Sequence, residues 1–495
     1  MSLQELFKRV RAGKADELAA FLDQNEINLN QVKKYSDLTP LNLAAMCGHL
    51  EVAELLLLRG AKVNFKSEAA FVCPALRKAV EQKKVEMVKL LIKHGAETVY
   101  LGSWECPLTS ACEQGDLELV RALLPDGASR LNHFTFDSNS RQPSTQDQIF
   151  YSYSMSPVNT AIEYGHVEVV EWLLNHGAEV PSGALCLVIH CFRGGVPETN
   201  SLVKMLLDKG AEVNLSEQGK ASPLMLASFC GKSNVVEMLL KRGAEVDYKD
   251  KEDYFSLFLA VQHGHTEVVK HLLGADARVN VKIKRGFYKY PLEAAVNQPG
   301  DKAYLIAKLL LDKGADPNLC EHESVLIKAI KKNQPKVKVV ELLLDRGAEI
   351  DYQPYSDLYA LKGAVSGGHL EIVRLLLSRG ARTDLVDDKG KSILMFARNV
   401  PTARLLLDKG VPIDHQDNDG GYALLDALRN FLYNGSYKLA EFLLERGANP
   451  DLLKEDNTSA SSYIRNNYSV IQVRNVGFYH CMHAIFFNCA VQHYD

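Results

Sequence analysis

Eleven glycines constrain this chain more than any other feature: Gly60, Gly95, Gly127, Gly177, Gly210, Gly243, Gly314, Gly347, Gly380, Gly410 and Gly447 recur in phase along it. Each closes an apolar run of helical period, where a residue free to adopt the left-handed conformation ends the helix. Asp276 stands in the slot between Gly243 and Gly314, and a short Asp tolerates the same backbone. Punctuation of this kind points to one small unit used many times, each burying its apolar side against its neighbours.

The unit is clearest in Asp37 to Asn64, DLTPLNLAAMCGHLEVAELLLLRGAKVN. Thr39 is placed to cap a helix and Pro40 to occupy its first position, where a missing N–H costs nothing. Leu41, Leu43, Ala44 and Ala45 give that short helix one apolar side, and Gly48-His49 turns the chain. Val52, Leu55, Leu56 and Leu57 supply the stripe of a second helix, and Ala61-Lys62-Val63-Asn64 leads out extended. The segment resembles the ankyrin repeat, a β-turn plus two helices with a period of about 33 residues and the signature T-P-L-H-x-A. The resemblance extends from the first residues to about Asp451. It implies an all-α repeat solenoid, a stack of about thirteen helix–turn–helix units joined by β-hairpin-like loops.

On this reading residues 1–35 form an N-terminal capping repeat, with Leu3, Leu6, Phe7 and Val10 on one helix and Leu18, Phe21 and Leu22 on the next. Lys8, Arg9, Arg11 and Lys14 give it the polar outer side that a terminal unit needs. Residues 36–452 form the array. The interval from Gly127 to Gly177 is longer than the rest, which places an insertion at about 133–154. That insertion carries Phe134, Phe136, Phe150, Tyr151 and Tyr153 in a Ser-rich setting, and reads either as a flexible finger or as an aromatic anchor for a partner. The unit starting at Ser392 is short, because Arg398-Asn399-Val400-Pro401 replaces its Gly-His turn. Residues 453–467 are expected to hold a C-terminal capping helix, and 468–495 are a non-repeat tail.

Fifty-seven basic and sixty-one acidic residues leave a net charge of −4, a balance that disfavours a dedicated polyanion binder. Ten cysteines are scattered singly, as buried thiols in a reducing compartment would be. The leucine runs are too short to span a bilayer, and the N-terminus lacks an apolar signal segment. A cytoplasmic location, with nuclear entry open, follows as an expectation.

Several strings imitate functional motifs. Gly390-Lys391-Ser392 ends like a phosphate loop, but Leu385 stands where its first glycine belongs, and Ser392 is better read as a helix cap. Arg285-Gly286-Phe287 starts like an RNA-binding strand, and Tyr288 breaks that pattern. The segment around it, with Lys282, Lys284, Arg285, Phe287, Tyr288, Lys289 and Tyr290, is the most basic and aromatic stretch of the chain. It reads as a solvated hairpin tip or as a site for an acidic peptide or nucleic acid backbone. His480, Cys481, His483, Cys489 and His493 are metal-ligand types, but their spacing matches no zinc finger pattern, so no metal is expected. Cys186, His190 and Cys191 fall on a repeat helix. No nucleophile stands beside a base, so no enzyme and no cofactor are expected.

The resemblance implies protein partners of unknown identity, held on the concave surface of hairpin tips and first helices, with no small-molecule substrate and no membrane insertion. The partner-binding candidates are Trp104, Phe150, Tyr151, Tyr254, Lys284, Arg285, Tyr288, Tyr355 and Lys389. A regulatory portion of a larger signalling or ubiquitin-ligase protein is an alternative, and a nucleic-acid-associated protein a more distant one. The family's histidine after Thr-Pro-Leu is absent: Asn42, Leu76, Thr109, Asn159, Met225 and Glu293 stand there, so looser hairpins are expected. Family members are also substrates of an asparaginyl hydroxylase at the Val-Asn following the second helix, which here matches Asn214, Asn64 and Asn280.

Overall fold

The computed structural model describes residues 2–32, 38–65, 75–98, 106–127, 156–191, 197–214, 221–321, 323–331, 336–353, 359–434, 437–454 and 456–466. Their secondary structure is helical, arranged as thirteen successive helix pairs and one further helix, Ala460–Asn466. An isolated antiparallel bridge, Val386 to Ser392, is the one β pairing among the described residues. The chain divides into two compact units, Met1–Lys251 and Glu252–Asp495.

In the first unit seven pairs follow one another, from Ser2–Ala12 with Ala15–Asp23 to Pro223–Phe229 with Ser233–Lys241. First helices pack on the first helices of the adjacent pairs, and second helices on second helices. Each short helix therefore gains its stability from neighbours on both sides, since helices this short are marginal alone. The pair Pro40–Cys47 and Leu50–Leu58 shows how the sequence does this. Thr39 Oγ1 accepts the Asn42 N–H at 3.1 Å, and Gly48 closes the helix with φ 79°. Leu41, Leu43, Ala44 and Ala45 are buried, as are Val52, Ala53 and Leu56. Leu55 and Leu57 are half-buried, so the second stripe is narrower than the leucine run suggests. Ser156, Ser222 and, in the second unit, Ser324 cap later helices through the N–H three residues on.

The second unit opens with Ser256–Gln262 and Thr266–Gly274 and ends with Ala423–Asn434 and Lys438–Glu445, followed by Ala460–Asn466. Asp276 takes the predicted left-handed conformation, with φ 59°. Buried aromatics replace small caps at three helix starts: Phe255, Tyr359 and Tyr422. The Tyr359 hydroxyl donates to the Leu385 carbonyl at 3.2 Å, and the Tyr422 hydroxyl accepts the Ala460 N–H at 2.7 Å. The short unit departs most from the pattern: its first helix is a four-residue 3-10 turn, Ile393–Phe396. Ser392 was expected to cap it, and it does not. The Met395 N–H, which a capping hydroxyl would take, donates to the Ser392 carbonyl at 3.1 Å. Ser392 Oγ is left buried without a partner.

Two polar ladders join successive pairs. Asn64, Asn214, Asn280 and Asn318 each receive a backbone N–H about one repeat later, from Glu97, Glu245, Asp316 and Glu349, at 2.8–2.9 Å. Each also donates its amide to a repeat-closing glycine carbonyl, at 2.9–3.1 Å. At the ends of the second helices, arginines reach back one repeat: Arg59 to Asp23, Arg346 to Asp312, Arg379 to Asp345 and Arg446 to Asp408, at 2.5–2.7 Å. These pairs are solvent-exposed, so each contributes less than about 1 kcal/mol.

A candidate docking surface on a hairpin finger

The segment 279–290 links Thr266–Gly274 to Pro291–Val296 and projects as a hairpin finger. Ile283 is buried beneath it, and its N–H donates to the Lys289 carbonyl at 3.0 Å, closing the loop. Gly286 forms the bend with φ 121°, and a Cβ there would sit 3.1 Å from Ile283 Cδ1 and 3.3 Å from the Tyr254 hydroxyl. Both the backbone conformation and the close approach favour glycine. Tyr254 thus buttresses the tip from the preceding hairpin, and the Lys284 N–H donates to the Glu252 carbonyl at 3.3 Å.

The finger's cations are all engaged. Lys284 meets Asp253 and Arg285 meets Glu252, each at 3.1 Å, and Lys282 pairs with Glu321 of the following hairpin. Lys289 donates its ammonium to the Lys284 carbonyl at 2.9 Å. The basic character visible in the sequence is therefore balanced locally by carboxylates from the adjacent hairpins. Phe287 lies at the tip, 85% exposed, the most exposed large hydrophobic side chain among the described residues. It meets Tyr288 edge-on, with ring centroids 5.0 Å apart and planes at 84°. Burial raises the Tyr288 phenol pKa, and the Glu293 charge adds to that.

At the base of the finger, Glu293 replaces the family histidine, and the expectation of a looser hairpin is corrected here. Glu293 Oε2 accepts the Lys289 N–H at 2.6 Å and the Tyr290 N–H at 3.3 Å, and Oε1 pairs with Lys328 at 2.8 Å. One buried carboxylate ties the hairpin to its own helix and to the next one.

Of the expected partner-binding residues, Lys284, Arg285 and Tyr288 lie on this finger, and Tyr254 of the preceding hairpin meets its tip. Lys389 is exposed on a later hairpin, where its carbonyl accepts the Asn418 N–H at 2.8 Å. Trp104, Phe150, Tyr151 and Tyr355 lie outside the described residues, as do the 133–154 insertion and the His480–His493 cluster. The neutralising acids Glu252, Asp253 and Glu321 were not anticipated; the signal was their position one hairpin before and after the basic run.

The recurrent helix-turn histidines belong to the scaffold. His49 bonds the Arg11 carbonyl through Nε2 at 3.1 Å, and His166 bonds the Glu113 carbonyl at 2.9 Å, each reaching the preceding helix pair. Gln298 makes the equivalent bond to the Gln262 carbonyl at 2.9 Å. Cys186 is buried, His190 half-buried and Cys191 exposed. No group of three or more His, Cys, Asp or Glu among the described residues is placed to hold a metal ion. No described helix is long and apolar enough to cross a membrane.

A family model described as ankyrin repeats (3 copies) matches residues 76–184, 187–284, 257–354, 292–387 and 359–454, and the single ankyrin repeat model matches 36–68. An ankyrin repeat protein of fowlpox virus (strain NVSL) is 28% identical over 194 residues, 38% of this chain and 40% of that protein. The B-cell lymphoma 3 protein homolog of Mus musculus is 39% identical over 101 residues, 20% of this chain and 22% of that protein. The chain thus spans less than half the length of these relatives. The crystal structure of the ankyrin repeat domain of Bcl-3 is 27% identical, covering 46% of this chain and 100% of that chain, with a TM-score of 0.38.

Proposed function

The chain belongs to the ankyrin repeat family, and on that premise we propose that it is a non-enzymatic, cytoplasmic protein-interaction scaffold or adaptor. Its docking surface is the hairpin edge of the stack, centred on the finger with Phe287 at its tip. The observation that carries this reading is an aromatic side chain held out in solvent by a framework that leaves little freedom beneath it. Tyr254, Ile283 and the three ion pairs brace the loop, so a partner covering Phe287 loses little loop entropy on binding. Aromatic residues are enriched among the side chains that dominate interface energies. Neutralisation of the cations favours a protein partner over a nucleic acid backbone, which is bound by unpaired positive charge.

A photo-crosslinking amino acid at position 287 tests this reading in cells. It should give discrete protein adducts that Tyr254→Ala weakens, while the same label at Lys338, on a second helix, gives none of those adducts. Equal labelling from both positions would remove the finger as the docking surface. We also propose Asn214, and after it Asn64 and Asn280, as hydroxylation positions, as the family resemblance implies. The exposed Asn214 side chain supports the choice, and a one-oxygen mass increase on the peptide containing it is the expected result.

A further inference from the structure

The short unit at Ser392 leaves a gap in the layer of first helices. Its 3-10 turn, Ile393–Phe396, spans one turn, while the next first helix, Ala423–Asn434, has twelve residues and overhangs it. Between that overhang and the end of Ala360–Gly367 lies a cleft of about 430 Å³. This volume exceeds the needs of a single water and falls within the range of about 300–1,000 Å³ found for ligand sites.

The apolar part of the cleft lining is Met395, Phe396, Ala397, Ala427 and Leu439. Met395 and Ala427 are buried, and Phe396 is held from one side by the Lys362 ammonium, 4.5 Å from its ring centroid. Its polar lining is Ser366, Asn430 and Arg398, with no acidic side chain. Arg398 is exposed and forms no ion pair among the described residues. This contrasts with Lys282, Lys284 and Arg285 of the finger, each of which meets a carboxylate. The lining residues come from the end of Ala360–Gly367, the 3-10 turn and the two residues after it, the middle of Ala423–Asn434 and the start of Lys438–Glu445.

We propose that this cleft is a second docking site, for a short acidic segment of a partner protein that inserts an apolar side chain where the missing helical turn would lie. The apolar lining takes the side chain, Ser366 and Asn430 offer hydrogen bonds to the segment's backbone, and Arg398 takes a carboxylate. A charge-assisted contact to Arg398 adds direction to an otherwise non-directional apolar contact. The site is independent of the finger and does not require that the finger be the main docking surface.

The probe is a short fluorescein-labelled peptide with two leucines one helical turn apart among glutamates, compared with a twin in which every glutamate is lysine. Fluorescence anisotropy with the full chain should show binding of the acidic peptide and none of the twin at the same concentration. Arg398→Glu, an exposed change that leaves packing untouched, should weaken the acidic peptide at least about tenfold. Ala427→Trp, which fills the cleft, should abolish binding, and Phe287→Ala should leave it unchanged. Equal binding of the twin, or acidic-peptide binding undiminished by Arg398→Glu, would overturn the assignment.

Discussion

Glu293 and Lys328 lie 2.8 Å apart, on consecutive first helices, with the carboxylate 1% exposed and the lysine side chain 19% exposed. A polar group at that depth costs free energy unless it is hydrogen-bonded, and the carboxylate has three donors: the Lys328 ammonium and the N–H groups of Lys289 and Tyr290. Truncating it would strand all three. Glu293→Ala is expected to destabilise the second unit by about 3 kcal/mol, read as a lower urea midpoint. Replacing both partners, as in Glu293→Leu with Lys328→Met, should recover part of the loss, because no unpaired charge remains.

Phe287 buries almost nothing in the isolated chain, so Phe287→Ala should change stability by no more than about 0.5 kcal/mol. If the finger is the docking surface, the same change reduces partner capture severalfold. A parallel loss of stability and capture would instead show that the side chain supports the fold.

Because Lys282, Lys284 and Arg285 are matched by carboxylates, the finger should not retain the chain on heparin beyond low salt. Reversing the matching acids with Glu252→Lys and Asp253→Lys should create retention that falls steeply with salt concentration. Strong retention of the unaltered chain would contradict the local neutralisation described above.

Asn318 makes two ties to the following repeat, to the Gly347 carbonyl and from the Glu349 N–H. Asn318→Ala removes both and is expected to cost about 1–2 kcal/mol. Hydrogen exchange should report it locally, as loss of protection at the Glu349 amide before distant repeats respond.

His369 begins the helix Leu370–Ser378, and burial lowers its pKa below the usual histidine value. The unfolded chain therefore binds the proton more readily than the folded one. Stability from this group is full above about pH 6.5 and declines as pH falls toward the folded pKa. His369→Gln should flatten that part of the stability profile, measured by thermal melts between pH 7 and pH 5.

The repeat, its helix pairs and their number follow from the sequence alone. Glycine phase, Pro at the first helical position and apolar period are local signals, and each unit's packing is mainly with units like itself. Thr39 and Asp276 could be assigned roles from one unit and found in them in the structure. Ser392 could not, because its role depended on whether the following residues form an α turn or a 3-10 turn. The basic-aromatic stretch at 282–290 was also legible, but its charge state was not. Glu252, Asp253 and Glu321 lie about one hairpin away along the chain, and only the stacking of hairpins brings their carboxylates against Lys284, Arg285 and Lys282. The tertiary structure likewise turned Glu293 from a missing histidine into the tie of the hairpin, and a shortened turn into a cleft. Periodic burial is encoded residue by residue, whereas electrostatic pairing and empty volume arise from distances between repeats, which a single unit's sequence does not contain.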